Sequence, residues 1–210
     1  MGRAPGLPSP RAALTVEVAL GISGRIGSGK TSLAVVLAER LHCPRASFGD
    51  YVRTVATDQG LDASQREVLQ EVGDDLIAAG WNAFCMAVLN SAEYSDGSVI
   101  VDGIRHADAA QTMRRLVAPI PWRLVAVESE DATRRSRLAA RGLDDAETTQ
   151  ADAHPNESEV ASVMASADLV VSSQSTVAEA ADVVTEWLTM AERPRSATAS
   201  RNPPTRLDSP

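Results

Sequence analysis

Apolar positions recur with two different periods between residues 14 and 191. Residues 16–22, 99–102, 123–127 and 169–172 are short runs rich in Val, Ile and Leu. Such runs suit strands buried on both faces of a parallel sheet. Other apolar residues fall three and four apart: Leu33, Val36, Leu37 and Leu41; Trp81, Phe84, Cys85, Val88 and Leu89; Val177, Ala180, Ala181, Val184 and Leu188. That spacing marks one face of an α-helix. A short fifth strand is expected at 46–48. Leu69, Val72 and Leu76 mark a further helix inside a strandless stretch of about 50–92. Strands alternating with helices predict a three-layer α/β/α sandwich around a five-stranded parallel sheet, with 50–92 as a helical insertion.

Residues 1–13 and 192–210 are polar and broken by proline, so they read as flexible tails around a domain at 14–191. The chain has 210 residues, 44% of them hydrophobic, which suffices for one real core. Its net charge of −8 argues against a broad nucleic-acid surface and points to a small-molecule partner. No apolar run approaches the roughly 18 residues needed to span a bilayer. Glu17 interrupts 14–20 where a signal peptide would need an apolar stretch. Cys43 and Cys85 are too few for a disulfide framework and read as small core residues. The expected location is the cytoplasm.

Gly24-Arg25-Ile26-Gly27-Ser28-Gly29-Lys30-Thr31 fits G-x-x-x-x-G-K-[ST], and it lies between the first expected strand and a helix beginning near Ser32. In that setting glycines turn successive N–H groups inward onto phosphate oxygens, and the helix N-terminus adds positive character in the same direction. Lys30 is expected to reach the β- and γ-phosphates of ATP, and the Thr31 hydroxyl to ligate Mg²⁺. Lys30 is also the only lysine; the other 19 basic side chains are arginine. A compact ammonium suits a loop closed around phosphate better than a planar guanidinium does. The same fact removes the guanine-reading N-K-x-D motif of GTPases, and no L-S-G-G-Q signature of an ABC ATPase is present.

The apolar run 99–102 ends in Asp102, which a strand beside the loop would aim at the magnesium shell. The alternative is a strand-terminal Asp capping the turn at Gly103. Asp50 is open between two roles: contact with an acceptor, as base or ligand, and capping of the helix that starts there. His42, His106 and His154 are too scattered for a metal site; His106, next to Arg105, is open between lining an acceptor pocket and, the favoured reading, an exposed helix-start residue.

These motifs resemble those of the P-loop nucleotide kinases, which include adenylate kinase and dephospho-CoA kinase, over roughly residues 18 to 190. Ser47-Phe48-Gly49-Asp50-Tyr51-Val52-Arg53 is similar to the G-D-x-x-R segment of adenylate kinases, and Asp102-Gly103-Ile104-Arg105 to their D-G-x-P-R segment, here one residue shorter and without the proline. The resemblance implies that Arg53 and Arg105 hold the phosphate of an acceptor nucleotide. Arg137-Leu138-Ala139-Ala140-Arg141, preceded by Arg134, resembles the R-x-x-x-R run leading into the lid. By that likeness one of Arg137 and Arg141 lies near the donor base, and the other reaches the transferring phosphoryl group. The lid, about 142–157, is short and acidic, closer to dephospho-CoA kinase.

The resemblance therefore implies a magnesium-dependent kinase moving the γ-phosphoryl group of ATP to a nucleotide or nucleotide-like acceptor, foremost a nucleoside monophosphate. A regulatory ATP-binding protein with little transfer activity and a kinase for dephospho-CoA or another hydroxyl acceptor stay open beside it.

Overall fold

A computed structural model describes residues 17–140, 142 and 155–191. The expected tails, Arg141, His154 and most of the expected lid lie outside the described residues. The chain runs β1 (Ala19–Ser23), α1 (Lys30–Leu41), β2 (Arg45–Ser47), α2 (Phe48–Asp58), α3 (Arg66–Ala78), α4 (Trp81–Ser91), β3 (Val99–Ile104), α5 (Ala107–Leu116), β4 (Trp122–Glu128), α6 (Asp131–Ala139), α7 (Pro155–Ala165), β5 (Leu169–Ser172) and α8 (Val177–Ala191). All neighbouring strands pair in parallel, in the order β2-β3-β1-β4-β5.

Alternation along the central strands builds the two faces, because successive side chains point to opposite sides. Leu20 and Ile22 of β1, Ile100 of β3 and Val125 and Val127 of β4 pack with Leu33 and Leu37 of α1 and Ala181, Val184 and Leu188 of α8. Ala19, Val99, Val101 and Leu124 face the other way, onto Phe84, Cys85 and Val88 of α4 and Met113 of α5. Each fully buried aliphatic side chain contributes about 1.5–3 kcal/mol. Both cysteines join these layers, and burial pushes their thiols up, Cys43 to about 11 and Cys85 to about 12. Neither is a thiolate near neutral pH.

The expected five-stranded parallel sandwich is what forms, with shifted boundaries. β1 begins at Ala19 rather than residue 16, and α1 begins at Lys30 rather than near Ser32. β2 ends at Ser47, because Phe48 already opens α2. β3 runs two residues beyond Asp102, which carries Arg105 to the strand's end. The insertion holds the three expected helices, α2, α3 and α4. Among the described residues no single helix is long and apolar enough to cross a membrane; α3 and α4 reach that length only together, and they bend by 118°.

In this order β1 lies between β3 and β4, so the chain leaves β1 toward one side of the sheet and later crosses to the other. The carboxyl ends at such a switch point leave a crevice. The loop after β1 opens into it. Helix α1 carries that loop, and Leu37 is its fully buried anchor against the sheet and α8. Leu37→Ala is expected to cost about 2–5 kcal/mol in urea denaturation, with ATP affinity of the folded protein unchanged.

Candidate functional site

The loop between β1 and α1 is tight because its glycines take conformations that side chains resist. Gly27 and Gly29 are left-handed, with φ of 78° and 93°. A Cβ on Gly27 would also press on Leu138 and the Arg134 carbonyl of α6. The Ser28 N–H closes a turn onto the Arg25 carbonyl at 3.1 Å, and Lys30 Nζ donates back to the same carbonyl at 3.4 Å. Thr31 and Ser32 are exposed in the first turn of α1, while Gly24 is buried and Ile26 half-buried. Helix α6 braces the loop from behind. The buried Arg134 donates to the Ile26 carbonyl at 3.0 Å, and Arg137 donates to the Ser28 carbonyl at 3.2 Å and to Ser173 Oγ at 3.0 Å. Arg25 pairs with Asp131 of α6 at 3.4 Å.

Asp102 lies beside this loop in register with Ile22 of β1 and Ser47 of β2. Its side chain is only 3% exposed. Arg45 donates to Oδ2 at 3.2 Å, whereas Oδ1 is buried with no hydrogen-bond partner. Burial raises the Asp102 pKa above its ordinary 3.8, and Lys30, the Thr31 hydroxyl and Arg45 offset part of that rise. The Ser28 hydroxyl is a second buried polar atom without a partner. Orphaned oxygens inside a phosphate loop fit a magnesium–nucleotide group, since each needs a partner that the protein does not supply. Among the described residues no three His, Cys, Asp or Glu side chains gather as a metal cage.

The acceptor-side residues converge on the same space. A cleft of about 890 Å³ is lined by Lys30, Thr31 and Asp102 at the loop and by Asp50, Arg53 and Arg105 beyond it. Asp50 does not cap α2. Ser47 does, its hydroxyl accepting from the Asp50 N–H at 3.2 Å, because the helix starts three residues earlier than a cap at Asp50 would place it. Asp50 is thus freed into the cleft, where Arg45 donates to it at 2.6 Å and Arg53 at 3.1 Å. Burial pushes its pKa up, but Arg45, Ser47 and Arg53 together bring it below the ordinary carboxylate range.

Arg45 is the residue that sequence reasoning missed. It joins Asp102 to Asp50, and the signal was available: a charged residue leading a short apolar strand needs a partner for its guanidinium. His106 also departs from expectation. It starts a helix, yet its side chain is 15% exposed and it lines the cleft. Arg141 lies outside the described residues.

A family model described as an AAA domain matches residues 20–163, more than half of the chain. The chain belongs to the AAA domain family. The chain is also similar to UPF0200 protein TK1334 of Thermococcus kodakarensis, 30% identical over 138 residues that cover 62% of this chain and 72% of that protein. A UPF0200 protein of Thermococcus onnurineus is likewise 30% identical, covering 59% and 68%. Among solved structures, TT1252 from Thermus thermophilus matches with a TM-score of 0.59 at 16% identity, covering 85% of this chain and all of that one. Shikimate kinase from Acinetobacter baumannii, in complex with shikimate, matches at 0.56 and 14%, covering 85% and 96%. Shikimate kinase from Aquifex aeolicus matches at 0.55 and 16%, covering 82% and 96%. This AAA domain protein therefore has the fold of the P-loop kinases, the group that its motifs resemble.

Asp102 has a testable pH signature. Its folded-state pKa is raised, so the folded protein takes up the proton first as pH falls; the carboxylate costs stability above that pKa and nothing below the ordinary 3.8. Asp102→Asn is expected to resist urea better than wild type at pH 7, with the gap closing toward pH 3. The same variant is expected to lose about 10-fold or more in magnesium-dependent ATP affinity. Destabilisation at pH 7 would mean that attraction from Arg45 and Lys30 outweighs burial.

Proposed function

We propose that this protein is a kinase that transfers the γ-phosphoryl group of ATP to a small nucleotide-like acceptor, foremost a nucleoside monophosphate. The observation that supports it is that the phosphate loop and the acceptor-type arginines line one cleft. ATP would lie with its phosphates in the loop 24–31, held by the backbone N–H groups and Lys30. Mg²⁺ would be held by Thr31 and Asp102, and when bound it neutralises charge on the phosphate oxygens.

Phosphoryl transfer leaves the protein little covalent work, so positioning and charge dominate. Lys30 spreads positive charge over the β- and γ-phosphates. Arg53 and Arg105 hold an anionic acceptor in line with the γ-phosphate, and Asp50 holds Arg53 in place. Arg137 braces the loop at the donor side, and by the resemblance one of Arg137 and Arg141 lies near the donor base while the other reaches the transferring phosphoryl group. A phosphate acceptor needs no base, because it is already an anion. Arg25, Ile26, Ser28 and Ser32 complete the ATP site.

A second reading has support from Asp50, an ionised carboxylate in the cleft. With a hydroxyl acceptor, that carboxylate would take the proton as the oxygen attacks phosphorus. The similarity in fold to shikimate kinases is compatible with this reading. The two differ in the product.

The test is transfer from γ-labelled ATP with magnesium across nucleoside monophosphates, nucleosides, dephospho-CoA and shikimate. A labelled nucleoside diphosphate is expected, and Lys30→Ala is expected to abolish it. Arg53→Ala is expected to raise the acceptor KM about 10-fold or more with the ATP KM unchanged. A labelled hydroxyl product would select the second reading. No labelled product alongside tight ATP binding would overturn the kinase assignment in favour of a regulatory binder.

A further inference from the structure

His106 occupies the N-cap position of α5, yet its imidazole makes no capping bond to that helix. The ring is instead held from two other elements. Its Nδ1 is hydrogen-bonded to Glu159 Oε2 of α7, and its ring lies 4.9 Å from that of Trp81 at the start of α4, tilted by 47°. Trp81 in turn stacks on Phe84 at 6.1 Å and 12°. His106, Trp81 and Phe84 all line the cleft, and Glu159 does not.

The placement is unusual for this composition. The chain has three tryptophans, two tyrosines and two phenylalanines. Four of these seven, Phe48, Tyr51, Trp81 and Phe84, form one ring cluster, and all but Tyr51 line the cleft. Phe48 and Phe84 are buried, so Trp81, half-buried at the cleft wall, is the aromatic surface there that a planar group can meet. The contact with Glu159 Oε2 fixes the ring's rotation and occupies Nδ1. Nε2 is then the ring's remaining polar atom for a ligand in the cleft.

Resting on the nucleotide-acceptor reading above, we propose that His106 is a specificity-determining contact for the planar base of the acceptor, with Trp81 beside it as a stacking surface and Glu159 as the positioning residue that orients the imidazole. The acceptor phosphate, held by Arg53 and Arg105, is bound independently of it. His106 therefore contributes to the choice of acceptor and not to ATP binding.

Calorimetric titration with AMP, CMP, GMP and UMP in turn, and with ribose 5-phosphate, which carries the phosphate but no base, tests this. Wild type is expected to bind at least one of the four nucleotides more tightly than ribose 5-phosphate. His106→Ala is expected to weaken that nucleotide about 10-fold and leave ribose 5-phosphate and ATP unchanged. Glu159→Gln should weaken it less, and the double variant should match His106→Ala, as for residues acting through one contact. His106→Asn replaces the alanine variant if the latter does not fold. Undiminished nucleotide affinity in a folded His106 variant, or a parallel loss of ribose 5-phosphate binding, would overturn the base contact alone. Wild-type protein that binds none of the four nucleotides would overturn the nucleotide-acceptor reading and this inference with it.

Discussion

A carboxylate taken almost wholly out of water, beside a loop shaped for phosphate, is the constraint on which this structure turns. Asp102 forms the second-to-last residue pair between β1 and β3, where register alone sets it next to the loop. Its desolvation is costly unless positive charge lies close. Lys30 and Arg45 supply that charge from two sides, and neither saturates both oxygens. A site that leaves a buried oxygen unpaired is less stable than it needs to be for folding alone. The unpaired oxygen is where a bound magnesium–nucleotide group would contribute most, so local instability and affinity have the same origin.

From Asp102 the charge pattern continues outward. Arg45 bridges to Asp50, and Asp50 to Arg53, each step more exposed than the last. The series leads from the dry loop to the open part of the cleft. An anion entering there meets arginines already held in position, which lowers the ordering cost of binding. The Ser47 cap makes this possible, because a hydroxyl satisfies the helix end and leaves the Asp50 carboxylate to the arginines.

Most of the architecture was legible in the chain because strand and helix periods differ and the apolar runs are short and clean. Residues 169–172 were placed without error, since turn residues bracket them. The phosphate loop was legible for a different reason: its backbone needs glycines at fixed offsets, so geometry is written directly as residue type. The acceptor half was harder to read. Whether Asp50 or Ser47 caps α2 depends on a three-residue shift in the helix start, which propensity does not resolve. Arg45 acts through residues 5 and 57 positions away, and His106 through Glu159, 53 away; no local pattern reports such pairings.

The account stands on one claim, that a nucleoside triphosphate and a nucleotide acceptor occupy one cleft at the same time. The most direct measurement is the calorimetric affinity of bisubstrate analogues in which adenosine is joined to a second nucleoside through five phosphates. The account predicts that one such compound binds more tightly than ATP, and that Lys30→Ala and Arg53→Ala each weaken it. Affinity no greater than that of ATP for every second nucleoside, with no response to Arg53→Ala, would contradict it.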